Sequence, residues 1–214
     1  MSLTLPIQLS PRGKINKQLY KLKKYSLTGN TRNRKNIEKL AKCVAEIHLH
    51  NIKRDDFEIY NVQWVAEQAC KIEDVKLKAE IISTLKAMLQ IESYNSSLKK
   101  MKFLAWDISR ADWHQDYQFG KAGNCAWDLA CIINCVNDSQ FSEIFLTSYL
   151  RHGGEKPTLT ALYANLYYAK VFEAVASRSF ENIAGITKEI IDDTTFNTDI
   201  ISYDTLLKLN ITGY

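Results

Sequence analysis

Ile37, Leu40, Val44 and Ile47 in NIEKLAKCVAEIHLHN follow one another at intervals of three and four, the spacing of one face of an α-helix. The same period returns in KINKQLYKLKKYSL (Ile15, Leu19, Leu22), in DFEIYNVQWVAEQACKI (56–72) and in DVKLKAEIISTLKAMLQIES (74–93). An apolar helix follows in AWDLACIINCV (126–136), and three more helical segments in SEIFLTSYLRHG (142–153), TLTALYANLYYAKVFEAVASRSF (158–180) and NIAGITKEIIDDT (182–194). Helices striped in this way must bury their apolar sides against one another, so the chain is expected to be mainly α, of the α+β class. Only three prolines and eight glycines punctuate 214 residues, too few for a loop-rich β-sandwich.

Boundaries follow from local chemistry. Pro11–Arg12–Gly13 reads as an irregular start, and Asn36 as the N-cap of the 37–48 helix. Val75, Leu77, Ile81, Ile82, Leu85, Met88 and Leu89 form the inward set of the 74–93 helix. The pattern changes at YNSSLKKMKFLAWDIS, where a polar turn leads into the short apolar run FLAW ending at Asp107. That is the pattern of a small β element near 94–108, followed by a polar, aromatic loop over 110–124.

Charge divides the chain. Residues 12–39 hold ten Lys or Arg against Glu38 alone, leaving eighteen bases against twenty-three acids elsewhere, within a net charge of +4. The expected organisation is a basic N-terminal arm or helix (1–35) on a helical domain (36–214). With Tyr20 and Tyr25 interleaved, the 12–39 segment reads as a solvated helix face docking an acidic partner, or as a grip on the phosphates of nucleic acid. The first ten residues lack a leader pattern, no apolar run is long enough to span a bilayer, and the five cysteines have no disulfide spacing. A reduced, cytoplasmic protein with packed thiols, not associated with membrane, is therefore expected.

Two carboxylates stand out. Asp128 lies in the otherwise apolar GNCAWDLACIINC, and a buried carboxylate needs donors, supplied by its own helix's first turn or by another element. Asp107 ends the apolar run, where it either caps the turn DISRAD or presents a hard oxygen ligand. With Asp112, His114 and Asp116 it makes an Asp/His-rich loop that reads as solvated polar surface or as a divalent metal site. His48 reads as a packed, hydrogen-bonded histidine, and His152 as a cation at a helix C-terminus. Tyr163, Tyr167, Tyr168 and Phe172 share helical spacing and read as core.

The order of these pieces resembles the C-terminal lobe of the aminoglycoside phosphotransferase and choline kinase-like family, from about Ile37 to Ala176. The residues that carry the resemblance are the helix ending LAKCVAEIH, the strand ending Trp106–Asp107, the glycine-led GNCAWDLA and the helix FLTSY. It implies a kinase-like helical lobe, ATP and Mg²⁺ held at Asp107, and Asp128 as a buried anchor for backbone amides. It also implies a small hydroxylated or amine-bearing substrate, in a pocket lined by 108–122 and the helices after 140. The family's His-Gly-Asp loop is absent: Ile91–Glu92–Ser93 occupies its place, leaving Glu92 as the substitute catalytic residue and Asn95, with Ser97, as the cofactor-binding candidates. Asn124 and Cys125 stand where Asp and Pro occur in the family. Only some forty residues precede the first matching helix, so no complete N-terminal lobe fits. The resemblance thus implies a small-molecule kinase that needs a lobe from elsewhere, or a degenerate pseudokinase that binds a small molecule or a protein. The second reading, from a different class, is a helical adaptor acting through its basic segment.

Overall fold

The computed structural model describes residues 10–25, 27, 33–52, 56–60, 62–89, 101–136, 138–157 and 159–177. The fold is mainly α, with seven helices and four short antiparallel strands among these residues. The order is α1 (Pro11–Leu22), α2 (Arg34–His48), α3 (Val62–Ala69), α4 (Val75–Leu89), β1 (Lys102–Leu104), β2 (Trp106–Asp107), β3 (Asp112–Trp113), β4 (Lys121–Gly123), α5 (Cys125–Val136), α6 (Ser139–Arg151) and α7 (Leu159–Ser177).

Capping explains where the helices begin. Pro11 is not an irregular start; it occupies the first turn of α1, where its missing N–H costs nothing, and Ser10 accepts the Gly13 N–H at 3.2 Å. Asn33, not Asn36, caps α2 by accepting the Lys35 N–H at 3.0 Å. Asn124 caps α5 through Ala126 N–H at 2.8 Å, and Asp138 caps α6 through Phe141 N–H at 2.6 Å. His152 closes α6 at its C-terminus, as expected.

Helix α2 packs along α6, α5 along α7, α3 against α7, and α1 against α2. Ile15, Leu19 and Leu22 of α1 are fully buried in the same core as Ile37, Val44 and Ile47 of α2, so packing is continuous across the 35/36 boundary. Tyr167, Tyr168 and Phe172 are core residues, with Phe172 stacked on Trp64 at 5.0 Å. Cys43, Cys125 and Cys131 are buried, Cys135 is half-buried and Cys70 exposed, all as free thiols. Burial pushes the Cys43 and Cys125 thiols up to about 11, which keeps them protonated and inert at neutral pH.

Two segments depart from expectation. Residues 58–60 are extended rather than helical: Tyr60 N–H donates to Ala122 O at 2.8 Å and Ala122 N–H to Glu58 O at 2.9 Å, a parallel edge on β4. The 110–124 loop is largely a pair of hairpin arms, with β1 pairing β4 (Phe103↔Ala122) and β2 pairing β3 (Trp106↔Trp113, Asp107↔Asp112). In α4, Ile81 and Leu85 face inward and Leu77 and Ile82 are half-buried, but Val75 is 77% exposed in the first turn. The NIAGITKEIIDDT segment and residues 94–100 lie outside the described residues.

Candidate functional site

The strands β1 and β2 lie directly over the first turn of α5, and Asp128 joins them. Its carboxylate is fully buried. Oδ2 accepts Ala105 N–H at 2.5 Å, and Oδ1 accepts Trp106 N–H at 3.0 Å. His48 Nε2, at the last position of α2, stands 2.9 Å from Oδ2. All three partners belong to other elements, so the helix's own first turn is not what satisfies this carboxylate. With both carboxylate oxygens already accepting main-chain amides, the arrangement suits the tautomer in which His48 Nε2–H donates to Oδ2. On the other side of the ring, Nδ1 lies 2.9 Å from Tyr149 Oη of α6. One buried polar chain thus ties α2, α5, α6 and the β1–β2 turn together. Burial pushes the Tyr149 hydroxyl far above the usual phenol range, so it stays protonated.

Holding the amides of 105 and 106 fixes the direction of the next residue. Asp107 closes β2 and is mostly buried, with Oδ1 accepting both Ser109 N–H at 3.1 Å and Ser109 Oγ–H at 2.5 Å. The turn-capping expectation and the strand-end placement thus coexist in one side chain. Across the hairpin, His114 N–H donates to Ala105 O at 2.9 Å, which brings the His114 ring against Asp107, Nδ1 to Oδ2 at 3.7 Å. The ring is 2% exposed, packs at 6.0 Å from Phe103, and its Nε2 has no hydrogen-bond partner among the described residues. Burial holds the His114 imidazole below its ordinary range, against the opposing pull of Asp107 and Asp128.

A buried neutral histidine has a pH signature. Because its folded-state value is depressed, the unfolded chain binds more protons in the window below the usual imidazole range near 6.5. Its contribution to stability is complete above that range and is lost as pH falls through it. Wild-type Tm is expected to fall more steeply between about pH 7 and 5 than that of His114→Gln. Parallel profiles for the two proteins would show that His114 is not held neutral.

Other residues singled out by the sequence fall elsewhere. Glu92, Asn95 and Ser97 lie outside the described residues. Asp112 and Asp116 are occupied locally: Asp112 accepts Trp113 N–H, while Asp116 accepts Gln118 N–H and Asn16 Nδ2–H. Among the described residues no group of three or more His, Cys, Asp or Glu is arranged to hold a metal ion. Asp107 therefore stands as a single carboxylate, since Asp112 and Asp116 are engaged elsewhere in the hairpin. A cleft of about 210 Å³ lies between the start of α2 and α6, lined by Arg34, Glu38, Glu143 and Arg151 among others, and no residue of 108–122 contributes to it. No described helix is long and apolar enough to cross a membrane.

The link from Tyr149 through His48 to Asp128 was not legible in the chain, since His48 stands 80 residues from Asp128 and 101 from Tyr149. The one available signal was a histidine on the apolar side of an amphipathic helix, a position that requires a buried partner. No family model, curated protein or solved structure matches this chain.

Proposed function

We propose that this chain is a phosphotransferase-like binding protein, a degenerate kinase-type lobe that takes up a Mg²⁺–nucleotide at Asp107 without transferring phosphate. The observation that supports it is the clamp of Asp128 on the amides of Ala105 and Trp106, one residue before Asp107. A rigid strand end carrying a hard oxygen is what positioning of a phosphate-bound cation requires, since phosphoryl chemistry depends on geometry and charge neutralisation. The absence of a His-Gly-Asp sequence removes the residue that would activate an acceptor hydroxyl, which favours binding over turnover. Bound Mg²⁺ would supply positive charge to the phosphates; Asp107 orients it, and Ser109 together with His114 limits the rotation of Asp107.

The reading is tested by melting the full chain with ATP, with Mg²⁺, and with both. At ten times Kd, ligand binding raises stability by about 1.4 kcal/mol, which for a chain of this size raises Tm by about 3–6 °C. The rise is expected only with both present, and Asp107→Asn should remove it while leaving the unliganded Tm nearly unchanged. An undiminished shift in Asp107→Asn, or none in the wild type at millimolar MgATP, defeats the assignment.

A further inference from the structure

A different face of the molecule carries chemistry that the Asp107 site does not use. Helices α1 and α2 pack antiparallel, with Gln18 hydrogen-bonded to Glu46, Lys14 beside His50 and Lys21 beside Cys43. The inner side of α1 (Ile15, Gln18, Leu19, Leu22) is consumed by that packing. Its outer side presents Lys14, Lys17 and Lys21, and Lys24 in the turn that follows extends the row, at intervals of three, four and three. Across the seam, α2 presents Lys35, Lys39 and Lys42 at intervals of four and three. The other edge of α1 is held by Asn16, which bonds Asp116 and Tyr117 of the hairpin, so the lysine rows face away from the hairpin.

Very little neutralises these rows. Among the described residues Lys42 pairs with Glu46 at 3.8 Å, and Glu46 is shared with Gln18; Glu38 is taken by Arg34 at 3.1 Å. Lys14, Lys17, Lys21, Lys24, Lys35 and Lys39 have no carboxylate partner there. Two adjacent rows of like charge repel one another, and a polyanion laid along the seam relieves that repulsion while releasing its own counterions. Beside the lysines Tyr20 stands 66% exposed, with Lys24 Nζ 5.6 Å from its ring centre. A flat aromatic ring among cations is the arrangement that stacks an unpaired base while its phosphates are held. The apolar stripe of α1 is fully buried, so this face lacks the aliphatic stripe by which an amphipathic helix enters a bilayer.

We propose that the α1–α2 lysine face binds single-stranded nucleic acid, gripping phosphates along the two rows and stacking a base on Tyr20. The chemistry is shared by RNA and single-stranded DNA, and readout is independent of sequence. The experiment is fluorescence anisotropy of the full chain with labelled 20-nucleotide RNA and DNA strands, the corresponding duplex, polyglutamate and phosphatidylserine vesicles, from 50 to 300 mM salt. Engagement of five to seven phosphates predicts a slope of log Kobs against log salt of about −3.5 to −5 for either strand. RNA binding tighter than DNA would assign the physiological strand to RNA, and the reverse to DNA.

Lys17→Glu/Lys24→Glu/Lys39→Glu, all at exposed positions, is expected to weaken binding at least 100-fold with Tm and the MgATP response unaltered. Tyr20→Ala is expected to weaken single-strand binding about tenfold. Equal affinity for polyglutamate or for vesicles overturns the proposal, as does duplex binding as tight as single-strand binding. Unchanged affinity in the triple variant, with its fold confirmed by circular dichroism, overturns it equally.

Discussion

Asp128→Ala should lower the unfolding free energy by about 3–5 kcal/mol, because three buried donors lose their acceptor at about 1–3 kcal/mol each, partly offset by relaxation. Three donors converge on this carboxylate, two of them main-chain amides, and all lose their acceptor at once. The side chain is fully buried, and water reaching the vacated space has to satisfy Ala105 N–H, Trp106 N–H and His48 Nε2 together. For a domain of this length the loss corresponds to a Tm about 6–20 °C lower. Asp128→Asn keeps the shape and one acceptor oxygen, but it turns an amide donor toward another donor, so it should fall between the two. Urea denaturation gives the free energies, and hydrogen exchange gives a site-specific readout: protection at Ala105 and Trp106 should drop before that of α7. An alanine variant within about 1 kcal/mol of the wild type would mean that the clamp is replaceable.

The same carboxylate shows where sequence reading succeeds and where it stops. That Asp128 needs donors follows from one acid within an apolar helix; which donors it finds depends on how α2 and α6 lie against α5. No local pattern records that packing. The long helices were legible, because α2 and α6 bury residues at one helical period while α5 and α7 are apolar segments buried on nearly all sides. The apolar run FLAW was legible as a short strand ending at Asp107 and runs through β1 into β2, whereas β3, β4 and the β1–β4 and β2–β3 pairings were not, since alternation cannot declare itself over two or three positions and the pairing is made by main-chain hydrogen bonds. The stretch at 58–60 failed for a related reason. Its apolar residues fit a helical period, yet the free edge of β4 offers Ala122 as a partner, and tertiary pairing overrides the local preference. At α2 the choice between Asn33 and Asn36 turned on three residues, within the range over which helix ends are hard to place. The site residue Asp107 was visible as the end of an apolar run, whereas its contact with His114 required the hairpin register.

Gly120→Ala is expected to be the most damaging single-atom addition in the hairpin region. The backbone there is extended, with φ of −74°, so any residue accepts the conformation and the cost is steric alone. A Cβ at this position would lie inside the Phe103 ring. That ring is fully buried, stacked on Tyr117 at 5.3 Å and met edge-on by Phe57 at 5.7 Å, and His114 packs beside it at 6.0 Å. It has no free side toward which to swing, so the added methyl either displaces β1 or forces an off-rotamer ring, at about 1–3 kcal/mol or more. Displacing β1 also pulls on the amides that Asp128 holds, so Gly120→Ala should weaken protection at Ala105 as well as lower Tm. Phe103→Leu gives the control, because it makes room for the methyl. The double variant should be more stable than the sum of the two single losses by about 0.5–3 kcal/mol. Strict additivity would mean that the methyl and the ring do not meet, and that the space beneath Gly120 is larger than the packing of Phe103 allows.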